Sequence, residues 1–315
     1  MGVLNLEIHA VKSLIVTAIR FVAVTILYFV TFVVVSGALL STGSEQPALA
    51  EAGSTLLALF IVSLISAAVW TYIILRSQWT GWKLVITVFL VFFGVSTVMS
   101  QVETAYFVTR LPSGMLPRLF VAGMIVAAVF APLAVLILGK AKAQANGTSD
   151  DARLRMPVST WIAKLSLIVV AYLFLYFTFG YFIAWRNPAL RAYYGGSDPA
   201  GFVSHIASLL RNEPMLFLLQ AVRALLWTAI AVPVIKMMKG GWWESGLAVA
   251  LLFGVFMTAP LLLPNTLMPY EVRMAHLVET ATSNFLFGWL VVFLLRPALH
   301  SYDSDFKYST RSDFS

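Results

Sequence analysis

An arginine and a glutamine lie inside a long apolar stretch of this chain. Arg223 and Gln220 fall within the segment 215–235, which is long and apolar enough to cross a lipid bilayer as a helix. A charge at the centre of a membrane helix costs about 3 kcal/mol or more unless polar groups surround it. Because Gln220 precedes Arg223 by three positions, a helix places both on one face. The pattern predicts a buried polar site centred on Arg223.

Polar residues on other apolar segments lie at a similar depth. With a helical rise of ~1.5 Å per residue, Arg223 lies ~20 Å above Lys236. Glu279 lies ~26 Å above Arg296 by the same measure. Glu103 lies ~30 Å above Lys83. An arginine side chain extends several ångströms toward water, so Arg223 could meet either glutamate if the helices are neighbours. The predicted substrate-binding set in the outer half of the bilayer is Arg223, Gln220, Glu103, Gln101, His276, Glu279, Asn284 and Arg273.

These residue types suit acid–base chemistry or anion binding. His276 and Glu279 are three residues apart and could relay a proton or act as a general base, while Arg223 could hold a carboxylate or an anionic headgroup. Glu103, His276 and Glu279 also offer oxygen and nitrogen ligands to a divalent metal. However, His-x-x-Glu occurs once, and a nearby arginine opposes a cation. No hydrolase, Walker or dinucleotide motif is present, so we expect neither a metal nor a cofactor.

Composition places the chain among membrane proteins. Of 315 residues, 60% are hydrophobic and 11% are charged, and the mean hydropathy is +0.88. The absence of cysteine excludes disulfides and thiolate chemistry. The net charge of +7 comes from lysines and arginines scattered between apolar segments. Because they form no basic domain, we expect the lipid bilayer as a partner and no nucleic acid.

Eight apolar segments approach the length of a membrane-spanning helix. Their apolar runs are continuous and do not alternate with a period of two, so helices are expected and a barrel is not. The third and eighth runs are short and are expected to continue as helix through Glu103 and back through His276. The predicted fold is therefore all-α, with spans at 13–40, 55–75, 84–100, 116–138, 161–184, 215–235, 245–263 and 280–295.

Basic residues predict the orientation of the chain. With the N-terminus inside, twelve Lys and Arg residues fall on the cytoplasmic side and six on the outer side. We therefore expect both termini in the cytoplasm and the protein in the plasma (inner) membrane of a bacterium. A competing interpretation is a cleaved signal peptide, because Ala48-Leu49-Ala50 resembles a cleavage site, although the preceding apolar run is too long for one.

The two halves of the sequence share short matches in the same order. An even number of spans per half would make the halves parallel, with a ligand site between them. The last match does not fit a simple repeat, because Glu103 follows the third span whereas Glu279 lies at the start of the eighth. The matches are Tyr28-Phe29 with Tyr176-Phe177, Trp70-Thr71 with Trp227-Thr228, Gly81-Trp82 with Gly241-Trp242, Phe93-Gly94-Val95 with Phe253-Gly254-Val255, and Val102-Glu103-Thr104-Ala105 with Val278-Glu279-Thr280-Ala281.

This repeat predicts a division of the chain into two four-helix units, 1–139 and 158–298. A polar cytoplasmic linker, 140–157, joins them, and a cytoplasmic tail, 299–315, follows. In the long outer loop, residues 199–212 carry apolar side chains on one helical face. We expect an amphipathic helix there that lies on the membrane surface.

Three classes of function remain open at this point. The first is a protein that binds or transports a small anionic or zwitterionic solute, with coupling to protons as an option. The second is a membrane enzyme acting on a lipid or lipid-linked substrate, with the lipid headgroup in the same site. The third is an accessory subunit of a larger membrane complex, in which Arg223 pairs with one glutamate only to hold helices together while Arg273 and Glu271 sit in water.

Overall fold

Eight long apolar helices make up most of the molecule. The computed structural model describes residues 2–40, 49–108, 111–142, 153–196, 201–265 and 268–296, and no strand occurs within these ranges. Each of the eight is long and apolar enough to cross a membrane. The protein is therefore an all-α integral membrane protein, as predicted. The helices are α1 (Gly2–Leu39), α2 (Leu49–Arg76), α3 (Gly81–Phe107), α4 (Met115–Ile137), α5 (Val158–Ala184), α6 (Pro188–Tyr194), α7 (Phe202–Asn212), α8 (Pro214–Met237), α9 (Trp242–Leu262) and α10 (Tyr270–Leu295).

The helix boundaries match most of the sequence prediction. Helix α3 continues past Glu103, and α10 begins before His276, as expected for the two short runs. Helix α7 lies within the predicted amphipathic segment, and its position at a membrane surface stays a prediction. The predicted tail, 299–315, and the middle of the predicted linker, 143–152, lie outside the described residues.

Three of the spans contain a π-helical turn. These turns are Gly94–Met99 in α3, Gly180–Ala184 in α5 and Leu251–Phe256 in α9. A π-turn inserts an extra residue into the helical repeat and is frequent at functional sites. The turns in α3 and α9 both contain a Gly-Val pair that follows a phenylalanine, at Phe93 and Phe253. The turn in α3 begins at its glycine, whereas the turn in α9 begins three residues before its glycine.

The first four spans and the last four spans share three contacts between helices. In the first half, α1 contacts α2 and α4, and α3 contacts α4. In the second half, α5 contacts α8 and α10, and α9 contacts α10. Between halves, α2 contacts α9 and α3 contacts α8. These two contacts each join the second span of one half to the third span of the other, and the third spans, α3 and α9, also contact each other.

An aromatic core lies where the halves meet. The rings of Trp70 on α2 and Phe92 on α3 stack with centroids 5.7 Å apart. Phe256 on α9 contacts both rings, at 5.4 and 5.0 Å. Trp227 on α8 lies 4.2 Å from Phe253. Close edge and offset contacts between such rings add to the dispersion energy that holds membrane helices together.

Glycine allows α9 and α10 to approach closely. A Cβ added to Gly288 would lie 2.6 Å from the Cα of Ala250, and one added to Gly254 would lie 2.7 Å from the carbonyl oxygen of Ala281. Side chains at these positions would push the two backbones apart. Helix α10, which carries His276 and Glu279, is therefore fixed against α9 by backbone contact.

One side of the molecule is closed by a bridge between the halves. We call the side on which α2, α4 and α8 end the bridge side, and the side on which α3, α5 and α9 end the cavity side. On the bridge side, Ser77 and Met238 form an antiparallel backbone bridge. The Gln78 amide donates to the Met237 carbonyl at 2.7 Å, and the Lys239 amide donates to the Arg76 carbonyl at 3.0 Å.

Charged side chains reinforce this bridge. The Arg76 guanidinium donates two hydrogen bonds to the buried Glu244 carboxylate and joins α2 to α9. Lys140 donates to the Ser77 carbonyl oxygen at 2.8 Å, and burial together with the charge of Lys239 lowers the pKa of Lys140 to about 8. Arg153, within the predicted linker, donates to the Met238 carbonyl at 2.7 Å. The bridge side is thus held by both backbone and ionic contacts.

Candidate functional site

Arg223 lies between two helices with its charge paired. It projects from α8 and its side chain is 1% exposed. Its Nη1 lies 2.6 Å from Oε1 of Glu103 on α3, a carboxylate that is 30% exposed. The same nitrogen donates to the Gln220 Oε1 at 2.7 Å. Its Nε has no hydrogen-bond partner in the described part of the chain, so one donor of a buried cation stays available.

A second polar group is built on the neighbouring helix α10. The His276 Nδ1 lies 3.3 Å from Glu279 Oε2, and the Thr280 hydroxyl donates to the same carboxylate oxygen at 3.1 Å. On its other side, His276 Nε2 lies 3.1 Å from the Tyr194 hydroxyl. Tyr194, His276 and Glu279 therefore form a chain of hydrogen-bonding groups. Desolvation raises the pKa of the Tyr194 phenol, so it stays protonated at neutral pH.

Both groups line one cavity of about 500 Å³ on the cavity side. Its lining extends from Glu213, which is exposed, to Arg223, which is buried. A cavity of this volume suits a small organic ligand. The π-turn of α5 contributes Gly180, Tyr181 and Ala184 to the wall. The π-turn of α5 therefore lies at the cavity, where irregular backbone is tolerated in membrane proteins.

Five of the eight predicted site residues line this cavity. Gln220 lies behind Arg223 and supports it through the hydrogen bond above. Gln101 is not part of the lining, although its Oε1 is buried without a partner in the described residues. The five lining residues are Arg223, Glu103, His276, Glu279 and Asn284.

Arg273 lies apart from this group, although its spacing from His276 predicted a shared helix face. Its Nη1 donates to the carbonyl oxygens of Leu261 and Leu263, at 2.9 and 2.6 Å. These carbonyls lie at the end of α9, where no further helical turn can satisfy them. The long side chain of Arg273 therefore closes the end of α9 and does not enter the cavity.

Aromatic side chains are the part of the site that the sequence analysis missed. The tyrosines lie on α5 and on α6, where the sequence analysis assigned no site residue. The Arg223 guanidinium lies 5.9 Å from the centre of the Tyr172 ring, within the range of a cation–π contact. The spacing of tyrosines over 172–194 was the available signal. The aromatic lining residues include Tyr172, Tyr176, Tyr181, Trp185 and Tyr194.

His205 brings helix α7 to the same cavity. It lines the wall together with Leu209 of that helix. Partial burial lowers the pKa of His205, although the charge of Glu213 opposes this effect. The imidazole is therefore neutral at neutral pH. Helix α7 thus covers one flank of the cavity with a neutral, partly apolar surface.

An apolar groove of about 420 Å³ adjoins the cavity on the outside of α5. Phe174 of α5 and Val203 of α7 line it, and Phe177 lines both the groove and the cavity. Thr178 is the only residue of the lining with a polar side chain. A ligand with both polar and apolar parts would therefore meet a continuous surface from the cavity to the groove.

The set of charged residues does not resemble a metal centre. Within the described ranges, no three His, Asp or Glu side chains come close enough together to hold an ion.

The sequence matches no protein-family model and no curated protein, and the fold matches no solved structure. The residues of the cavity could bind an anionic group at Arg223, stack aromatic groups, and exchange a proton along Tyr194, His276 and Glu279.

Proposed function

We propose that the protein binds a small anionic or zwitterionic solute in the cavity and moves it across the membrane. The observation that carries this proposal is the placement of Arg223, which is buried at membrane depth and yet lines a cavity that extends from the surface. Charged groups inside membrane proteins are costly and commonly mark a substrate pathway. The free Nε of Arg223 offers a strong donor to a carboxylate or phosphate oxygen.

The difference between the two sides of the molecule favours transport over binding alone. The cavity lies on one side, while backbone and ionic contacts between Arg76 and Glu244 and between Ser77 and Met238 close the other. A transporter that alternates its access rests in such a state, open to one side and shut on the opposite one. The bridge is therefore the element that opens when the solute is released.

We also propose that the halves are related by an approximate two-fold axis along the membrane normal. An antiparallel bridge between the loops that follow the second span of each half is the arrangement that such an axis generates. The reciprocal contacts of α2 with α9 and of α3 with α8 support the same relation. Repeats of this kind place the substrate between halves, and rocking of one half against the other changes the access.

Proton coupling follows from the chain of Tyr194, His276 and Glu279. A histidine is the residue whose ordinary pKa is closest to physiological pH. His276 contacts both a phenol and a carboxylate, so it can pass a proton between the cavity and Glu279.

Transport by proteoliposomes tests the proposal. A panel of radiolabelled small carboxylates and amino acids serves as probes, because the solute is not identified. We expect the wild-type protein to accumulate at least one of them and Arg223→Ala to accumulate none. Arg118→Ala removes an exposed arginine and is the matched control. The proposal would be contradicted if the wild-type and Arg223→Ala proteins, both eluting as folded particles, accumulated every probe to the same extent.

The apolar groove favours a second candidate, an enzyme that acts on a lipid or lipid-linked substrate. Phe177 joins the groove to the cavity, so an acyl chain could lie against α5 and α7 while its headgroup reaches Arg223. The accessory-subunit hypothesis has less support, because it predicts a dry and fully paired Arg223. Incubation of the reconstituted protein with labelled phospholipids, followed by product analysis, separates an enzyme from a transporter: turnover favours the second candidate.

A further inference from the structure

The cavity contains more acidic groups than cationic partners for them. Glu103, Glu213 and Glu279 line it, whereas Arg223 is its one lysine or arginine within the described residues. Arg223 is engaged by Glu103. Of the lining histidines, His205 is held neutral by burial. The cavity therefore has an excess of negative charge that its own side chains do not neutralise.

Glu279 is the group that carries this excess. Its side chain is 9% exposed, and its ion-pair partner among the described residues is His276, at 3.3 Å. The Thr280 hydroxyl adds a neutral hydrogen bond. A buried carboxylate that lacks a permanent cation is costly, because burial removes its water without replacing it by an opposite charge. A cationic ligand group would remove that cost.

The surroundings of Glu279 suit an ammonium group in particular. The Tyr194 ring lies beside His276, with ring centres 5.8 Å apart. Tyr172, Tyr176 and Trp185 add further aromatic faces to the same cavity. Aromatic faces attract ammonium groups through the ring quadrupole, and a carboxylate framed by such faces is a common site for amines.

Donors for an anionic group lie in the same cavity. The Arg223 Nε has no partner in the described residues. Asn284 lines the wall, and within the described ranges its amide nitrogen makes only a long contact of 3.9 Å to the sulfur of Met257. A ligand oxygen could accept hydrogen bonds from both groups. The cavity thus offers acceptors for a cation and donors for an anion.

We infer that the ligand is a zwitterion whose ammonium group pairs with Glu279 and whose carboxylate or phosphate binds Arg223 and Asn284. This inference rests on the proposed function and narrows its substrate class. Two sources supply such chemistry: a free amino-acid-like solute, and the headgroup of an amine-containing phospholipid.

Matched probes test the inference by equilibrium binding. The protein is reconstituted in phosphatidylglycerol nanodiscs and titrated with radiolabelled ω-amino acids of three to six carbons. The carboxylic acid and the amine of the same length are titrated in parallel. At the best-fitting length, we expect the amino acid to bind about tenfold more tightly than the acid, as one charge-assisted hydrogen bond provides.

The variant Glu279→Gln assigns the ammonium site. It should remove the preference for the amino acid over the acid, because the ammonium group loses its partner. The acid should still bind at Arg223, which also shows that the variant is folded. Glu271→Gln, which removes an exposed carboxylate from the same helix outside the cavity, should change neither.

Three outcomes separate failure of the inference from failure of the proposed function. If the acid binds as tightly as the amino acid at every length, or if Glu279→Gln weakens both equally, the ammonium site is wrong while anion binding at Arg223 stands. If no probe binds the wild-type protein, both are contradicted. Probe binding is then compared between phosphatidylethanolamine and phosphatidylglycerol nanodiscs. Weaker binding in phosphatidylethanolamine, with no such difference in Glu279→Gln, identifies a lipid headgroup as the source. Equal binding in the two lipids identifies a free solute.

Discussion

At the scale of single residues, the Nη1 atom of Arg223 connects two other side chains of the site. Its Nη1 contacts the Glu103 carboxylate and the Gln220 amide oxygen at once. The three side chains come from α8 and α3, which belong to different halves. The ion pair is thus a contact between halves as well as part of the cavity wall.

Removal of Glu103 should destabilise the protein more than removal of the whole pair. Glu103→Ala leaves the Arg223 charge buried without a counter-charge, at a cost of about 3 kcal/mol. The double variant Glu103→Ala/Arg223→Met replaces the pair by apolar groups and should regain most of this loss. Thermal unfolding in detergent, followed by tryptophan fluorescence, measures both.

Glu213→Ala is the control for this comparison, because Glu213 lines the same cavity but is exposed. It should leave the unfolding temperature unchanged. A double variant that is as unstable as Glu103→Ala would show that packing around the two side chains, and not the buried charge, determines the loss.

At the scale of elements, the bridge between the loops is the feature that would determine access in the proposed transport. The buried carboxylate of Glu244 on α9 accepts from Arg76 at the end of α2. The backbone bridge between Ser77 and Met238 lies beside this pair. If the bridge opens during transport, weakening the ion pair should shift the protein toward a state open on the bridge side.

Glu244→Gln should therefore expose the bridge side to solvent. The chain has no cysteine, so a single introduced cysteine reports accessibility without background. Ser245→Cys places the probe beside Glu244 at a fully buried position. We expect a membrane-impermeant maleimide to react faster in the Glu244→Gln background, by about fivefold for each ~1 kcal/mol lost from the closed state.

Glu271→Gln, on the cavity side, is the control for this experiment and should leave the labelling rate of Ser245→Cys unchanged. If Ser245→Cys is labelled at the same rate with and without Glu244→Gln, the ion pair contributes nothing to closure. The bridge would then be a static contact between halves.

At the scale of the whole molecule, the sidedness of the chain decides which compartment the cavity faces. The distribution of lysines and arginines predicts that the bridge side faces the cytoplasm. The bridge side carries Lys140, Arg153 and Arg76 in the structure. The cavity would then face the outside of the cell, where a solute to be imported first meets the protein.

Single cysteines at exposed positions test this orientation. Ser113→Cys lies in the loop after α3 on the cavity side, and Ser159→Cys lies at the start of α5 on the bridge side. In intact bacterial cells, an impermeant maleimide should label the first and spare the second. Permeabilised cells, in which both react, provide the control. The reverse pattern would place the cavity in the cytoplasm.

The sequence by itself determined the class of the protein and the positions of its spans. Apolar runs of about 20 residues have one stable solution in lipid, because every backbone polar group must be satisfied within its own helix. For the same reason the presence of a polar site followed from Arg223 alone: a charge in an apolar run requires partners. Glu103 and Gln220 were among the partners expected, and both contact it.

Only the tertiary structure decided which helices are neighbours and where each long side chain ends. Helical spacing put Arg273 on the face of His276, yet its flexible side chain reaches back to the carbonyls of Leu261 and Leu263 at the end of α9. The tyrosines of α5 become a cavity wall because α5 packs against both α8 and α10. Spacing fixes positions along one helix, whereas contacts between helices depend on packing that involves the whole chain at once.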